Sequence, residues 1–201
     1  TDLAAYTSTY SCTEDSNTAS PITGSGTTTG DIPVEAGDAW TCTFTNTKLA
    51  TLTIAKVTDP VDSGADSFDF DAPSTGMSNF TLDTDADDAT YPSERTFTFG
   101  ADFGLKNIRE AATTGWAQTD NTSVAGTNTA TAPRLVTVDI QPGDAVTCTF
   151  TNTNLATITI EKTSDPAGGT GFGFTATPPF DGPAPFTLDD GGSQPFGSLP
   201  P

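Results

Sequence analysis

The chain has 201 residues, with 7 Lys and Arg against 26 Asp and Glu, a formal charge of −19 and no histidine. This balance argues against nucleic acid and anionic membrane surfaces as partners, because both need basic patches. The missing histidine removes the commonest general base and the commonest transition-metal ligand.

Abundant Thr, with Phe, Val and Ile in short runs, is a strand-and-turn composition. No run of ten or more residues carries helical apolar spacing, and no apolar stretch approaches the roughly 18 residues of a membrane span. The chain opens at Thr1 without a secretory signal, as a mature product or a fragment would. Three cysteines point to an oxidising, extracellular setting.

In chain order, Cys12 comes first, followed by the Thr27-Thr28-Thr29 run, which offers hydroxyls for O-glycans. Thr41-Cys42-Thr43-Phe44-Thr45-Asn46-Thr47 alternates strictly, placing Cys42, Phe44 and Asn46 on one face of a strand and the threonines on the other. Cys12 and Cys42 are expected on neighbouring strands and joined as a disulfide. The bond would close a loop of about 30 residues and contribute roughly 3–4 kcal/mol by restricting the unfolded chain. Leu52, Ile54 and Lys56 share the apolar face of the next strand. Phe68 with Phe70, then Phe97 with Phe99, mark further strands, and Ile108 shares a face with Glu110.

Asn79-Phe80-Thr81 and Asn121-Thr122-Ser123 are N-glycosylation sequons, a pattern that also arises by chance in Thr-rich chains. Asp83-Thr84-Asp85-Ala86-Asp87-Asp88 offers oxygen ligands but lacks the glycine and distal Glu of an EF-hand loop. It reads as a solvated acidic loop. No metal site, cofactor or catalytic set is assigned.

A repeat organises the chain. Residues 40–54, WTCTFTNTKLATLTI, return as residues 146–160, VTCTFTNTNLATITI, with an offset of 106 from Cys42 to Cys148. Upstream, Glu35-Ala36-Gly37-Asp38 parallels Gln141-Pro142-Gly143-Asp144; downstream, Lys56…Asp59-Pro60 parallels Lys162…Asp165-Pro166, and Phe80-Thr81-Leu82-Asp83 parallels Phe186-Thr187-Leu188-Asp189. The spacing suits a β-sandwich. The expectation is all-β tandem sandwich repeats: residues 48–153 a complete unit, 1–47 the C-terminal half of a unit, and 154–201 the N-terminal half of the next. Tyr6 would correspond to Trp116, and the only strand missing between the two halves is the one ending at Glu110. Two readings stay open. The chain is a piece of a longer tandem array, or it polymerises with each half completed by a neighbouring copy. Either way an isolated half-sandwich exposes an apolar face and open edges.

The complete unit aims Lys56, Glu110 and Asn152 at its interior, although Lys and Glu are rarely buried unpaired. Low dielectric can shift the lysine toward its neutral, nucleophilic amine, with the nearby acid to take up its proton. A protonated Glu110 can polarise the Asn152 amide, and the product would be a Lys56–Asn152 isopeptide bond with loss of ammonia. The alternative is an ordinary ion pair with Asn152 bonded to backbone. Cys148 has no cysteine partner in its own unit, since residues 117–130 contain none, and is expected as a buried thiol, with an interchain bond the alternative.

Lys56…Asp59, Glu110…Trp116 and Phe150-Thr151-Asn152-Thr153 together resemble the prealbumin-like, Cna-B/SpaA-type Ig-like repeats of bacterial surface proteins, over essentially the whole chain. The resemblance implies an extracellular, non-enzymatic module of a pilus shaft or adhesin stalk, often crosslinked by such an isopeptide. The TCTFTNT strand resembles a cysteine-containing branch, in which a disulfide often serves instead. The implied function is a structural module of a surface filament or stalk, with copies of itself as partner and glycans as possible decoration. The competing reading is an adhesin module that binds glycan or host protein; a weaker third is an accessory domain of a secreted enzyme.

Overall fold

In the computed structural model every expected alternating run is a strand, and a 3₁₀ turn at Leu3–Ala5 precedes the first. The structure describes residues 3–15, 20–61, 66–85, 90–124, 127–132, 134–175 and 185–199. Among them no helix is long and apolar enough to cross a membrane.

Strands β1 (Tyr6–Glu14), β2 (Ile22–Ser25) and β3 (Trp40–Lys48) form an antiparallel sheet in the order β2-β1-β3. The central part holds β4 (Ala50–Asp59), β5 (Ser67–Asp71), β6 (Phe80–Asp83), β7 (Glu94–Phe99), β8 (Gly104–Glu110), β9 (Trp116–Val124), β10 (Thr127–Ala132), β11 (Leu135–Ile140) and β12 (Ala145–Asn154). These make two sheets, β10-β11-β8-β5-β6 and β7-β4-β12-β9. The final strands β13 (Ala156–Glu161), β14 (Phe172–Phe174), β15 (Phe186–Leu188) and β16 (Ser193–Leu199) pair as β13-β16 and β14-β15.

The two central sheets pack as a sandwich because each strand alternates. Leu52, Ile54, Phe97, Val146 and Phe150 point inward from one sheet, and Phe68, Phe70, Leu82, Ile108, Val136 and Ile140 from the other. Phe70 ties the layers together: it stacks on Phe80 at 4.9 Å and meets Phe150 edge-on at 5.2 Å across the core. Burying each such side chain contributes roughly 1.5–3 kcal/mol. Most pairings are antiparallel, but β12 lies parallel to β4, in register from Ala145↔Thr51 to Thr153↔Asp59. The first and last strands of the sandwich are thus neighbours.

The sequence repeat has a structural counterpart on both sides. The two parallel turns close alike. Asp38 Oδ2 accepts from Glu35 N at 2.7 Å, and Asp144 Oδ2 accepts from Gln141 N at 2.9 Å. Gly37 and Gly143 hold φ of 100° and 86°, a conformation that disfavours side chains. Stacked Phe174 and Phe186 (5.2 Å) repeat Phe70 and Phe80, and Phe186 meets Phe196 at 5.4 Å and 63° as Phe80 meets Phe97 at 5.5 Å and 62°. Only Leu49 separates β3 from β4, and only Leu155 separates β12 from β13. Both leucines donate their N–H at 2.8 Å, to Ala5 O and Gly115 O respectively. At the first junction Thr7 Oγ1 donates to Gly100 O at 2.9 Å. A Cβ at Gly100 would meet the Thr7 methyl at 2.5 Å, so this close approach needs glycine.

The expected disulfide is present: Cys12 and Cys42 are directly opposite in the β1–β3 register and bonded. Cys148, in the matching position of β12, is a buried free thiol whose register partner on β9 is Ser123. Ser123→Cys is therefore expected to form a second disulfide under oxidising conditions. The intact mass should fall by about 2 Da, and closure of a loop of about 25 residues should raise stability by roughly 3 kcal/mol. Mass spectrometry and thermal denaturation check this; a variant that keeps two free thiols contradicts the equivalence of the two strand pairs.

Candidate functional site

Three central strands deliver three polar side chains to one end of the core. Lys56 comes from β4 after the inward Leu52 and Ile54, Glu110 from β8 after Lys106 and Ile108, and Asn152 from β12 after Cys148 and Phe150. All three are buried, Lys56 4% exposed, Glu110 1% and Asn152 3%. The parallel pairing sets Lys56 opposite Phe150, two residues from Asn152.

Lys56 Nζ lies 3.7 Å from Glu110 Oε1, which is ion-pair range but beyond a hydrogen bond. Its hydrogen bonds go instead to Val57 O at 2.8 Å and Phe150 O at 3.2 Å, and it sits 4.3 Å from the centre of the Phe68 ring. Asn152 Nδ2 donates to the same Glu110 oxygen at 2.7 Å. The carboxylate thus touches both the amine and the amide.

The electrostatics push both charged partners toward neutrality. Burial lowers the Lys56 amine to about 8, only partly opposed by Glu110. Burial likewise raises the Glu110 carboxyl, against the pull of Lys56 and the Asn152 hydrogen bond. A proton passed from Lys56 to Glu110 relieves both penalties at once. Two buried atoms here lack a hydrogen-bond partner: Glu110 Oε2 and Asn152 Oδ1. They are chemically complementary once Glu110 is protonated, since a carboxyl O–H can donate to an amide carbonyl. Chemically, then, the site offers a neutral amine, a proton-carrying acid and a polarisable amide.

The other expected residues fall elsewhere. Asn79 is exposed in the loop before β6, and its Oδ1 accepts from Ala72 N at 2.9 Å. Asn121 is half-buried on the edge strand β9, opposite Phe150. Asp83 is buried at the end of β6, while 86–88 of the acidic run lie outside the described residues. Among the described residues no group of three or more acidic or thiol side chains is placed to hold a metal ion. Burial pushes the Cys148 thiol up to about 12, which keeps it unreactive.

Two residues escaped the sequence reading. Lys106, also buried, donates to Thr75 O at 2.8 Å and to Asp102 O, and lies over the Phe99 ring. Its alternation with Ile108 and Glu110 was the available signal. Gln118 faces Asn152 in the β9–β12 register, and both its side-chain amide atoms are buried without partners. Its position depends on a bulge between Thr151 and Asn152 that no sequence pattern announces.

Comparison with known proteins agrees with this architecture. A prealbumin-like fold domain model of the SpaA type matches residues 52–154, and a second model of that type matches residues 1–48. No curated protein matches the chain. Domains of this type are structural, non-enzymatic modules. The chain belongs to the SpaA-type prealbumin-like fold domains, modules of the kind found in bacterial surface pilins and adhesins.

Proposed function

We propose that the chain is a structural repeat module of an extracellular bacterial surface stalk or pilus-like fibre. Residues 48–153 are one complete unit, 1–47 the trailing half of a unit and 154–201 the leading half of the next. The units follow one another in a line, and neighbouring units complete the halves. The observation that carries this reading is one core written twice. Phe150 is 0% exposed in the sandwich and its copy Phe44 is 45% exposed; Leu52 is 0% exposed and its copy Ile158 is 40% exposed. Electron microscopy of material from the native source should show beaded fibres, and dispersed monomers would contradict the reading.

Within the complete unit, Lys56 and Asn152 are proposed to join covalently. Lys56 transfers a proton to Glu110, and its Nζ lone pair attacks Asn152 Cγ while the Glu110 carboxyl polarises the amide. Nζ loses its remaining surplus proton to the departing Nδ2 through Glu110. One C–N bond forms, one breaks, and ammonia leaves. Each unit reacts once, so nothing turns over. The bond would tie strands β4 and β12 across a loop of about 95 residues, which restricts the unfolded chain by roughly 4–5 kcal/mol in the chain-entropy model.

The intact mass should then be about 17 Da below that calculated from the sequence, after allowance for the disulfide. Glu110→Ala and Asn152→Ala should each restore it. An unshifted mass in the folded protein leaves an ordinary buried ion pair instead.

The uncrosslinked Asn152→Ala chain should also show the lysine's burial through pH. The folded value of about 8 lies below the ordinary 10.5, so between them the unfolded chain binds more protons and stability rises with pH. Glu110 acts in the opposite sense: stability falls as pH climbs from its ordinary 4.5 toward its raised folded value. Denaturant midpoints should therefore increase from about pH 7.5 to about pH 9.5, by the equivalent of roughly 1–2 kcal/mol. Adding Lys56→Met should abolish the increase; a rise that persists in the double variant assigns it to another group.

A further inference from the structure

The outward edge of β3 and the outward edge of β13 have no partner strand among the described residues. In the central sandwich the matching strands, β12 and β4, use those same edges to pair with each other. We propose that β13 of one copy adds to β3 of a second copy as a parallel strand, in the register that β4 and β12 define. This rests on the linear-array reading above and names its joint.

The register follows from the offset of 106 that separates Cys42 from Cys148. Cys148 faces Ile54, Phe150 faces Lys56 and Asn152 faces Thr58 in the sandwich. Cys42 would accordingly face Ile160, Phe44 would face Lys162 and Asn46 would face Ser164. The donor side is already shaped for this. Lys162 lies 3.9 Å over the Phe172 ring, as Lys56 lies 4.3 Å over Phe68. Phe172 pairs with Leu188 as Phe68 pairs with Leu82, so the two lysines lie over equivalent rings. On the acceptor side, the Cys12–Cys42 disulfide fixes β1 against β3 and leaves the opposite edge open.

Several features favour a second copy as the occupant. The apolar residues that pairing would cover, Phe44 on one side and Ile158 on the other, are both exposed large hydrophobics. Parallel addition also satisfies backbone groups along both edges, which an unrelated apolar ligand would not do.

Cysteine pairing in the full chain tests both strand and register. Thr45 and Thr163 correspond to Thr151 and Val57, which are register partners. A mixture of Thr45→Cys and Thr163→Cys chains should give a reducible covalent dimer, because the Cα atoms of parallel register partners lie within disulfide reach. A mixture of Thr41→Cys and Thr163→Cys, four residues out of register, should give at least tenfold less. Sedimentation of the unmodified chain should show concentration-dependent association that disappears in denaturant.

Association without in-register crosslinking overturns the proposed joint and leaves the linear array standing. Crosslinking confined to a doubly substituted chain, within one molecule, also overturns it and assigns the edge to the chain's own β13. A chain that neither associates nor crosslinks overturns addition between copies, while the array reading is then judged separately by the native fibres.

Discussion

The in-register parallel pairing of β4 with β12 is the contact on which the rest of the structure depends. It joins the first and last strands of the sandwich, a contact of long sequence separation that carries a large loop-closure cost. It covers the edges of both strands, seals Phe150 beneath the opposite sheet and sets Lys56 beside the backbone of Phe150. The flanking segments show what the sequence does without it. β3 repeats β12 almost residue for residue, yet Phe44 and Asn46 stand exposed where Phe150 and Asn152 are buried. Local alternation makes the strand; burial comes from the partner.

That distinction explains how much could be read from the sequence. Alternation at Leu52-Thr53-Ile54-Ala55-Lys56 and at Ile108-Arg109-Glu110 correctly chose the inward faces, because a two-residue period leaves no freedom about which side chains point together. The cysteine pair was legible for the same reason. Val136, Val138 and Ile140 carry an equally clear alternation and form the inner face of β11, a strand the reading passed over because neither copy of the repeat drew attention to it. Lys106 was hidden by its charge, although its face was determined by Ile108. Gln118 was not accessible at all, since a bulge is a property of the paired strands and not of either one alone.

The polar end of the core is the least economical part of the sandwich in energetic terms. A buried lysine and carboxylate repay their desolvation only with good geometry, and here the amine stands 3.7 Å from the acid and donates its hydrogen bonds to carbonyls. Apolar residues of similar volume would commonly be at least as stable. Lys106 shows the contrast. It too is buried, but its ammonium is satisfied by backbone oxygens and an aromatic face, and among the described residues no side-chain amide or buried acid is placed against it. A mere need to fill the core with long side chains would produce sites like that of Lys106. The Lys56 site instead gathers an amine, an acid and an amide.

The single-residue links at Leu49 and Leu155 have a mechanical consequence. A tensile load arriving along β3 passes directly into β4, and one leaving through β12 passes directly into β13. Because β4 and β12 are parallel neighbours, the load enters and leaves at opposite ends of one ladder. The backbone bonds from Thr51 to Asp59 are then sheared together and not peeled apart one at a time. Tension therefore has no weak end at which to start unzipping the sandwich, and Lys56 and Asn152 lie across the very seam that would have to slip.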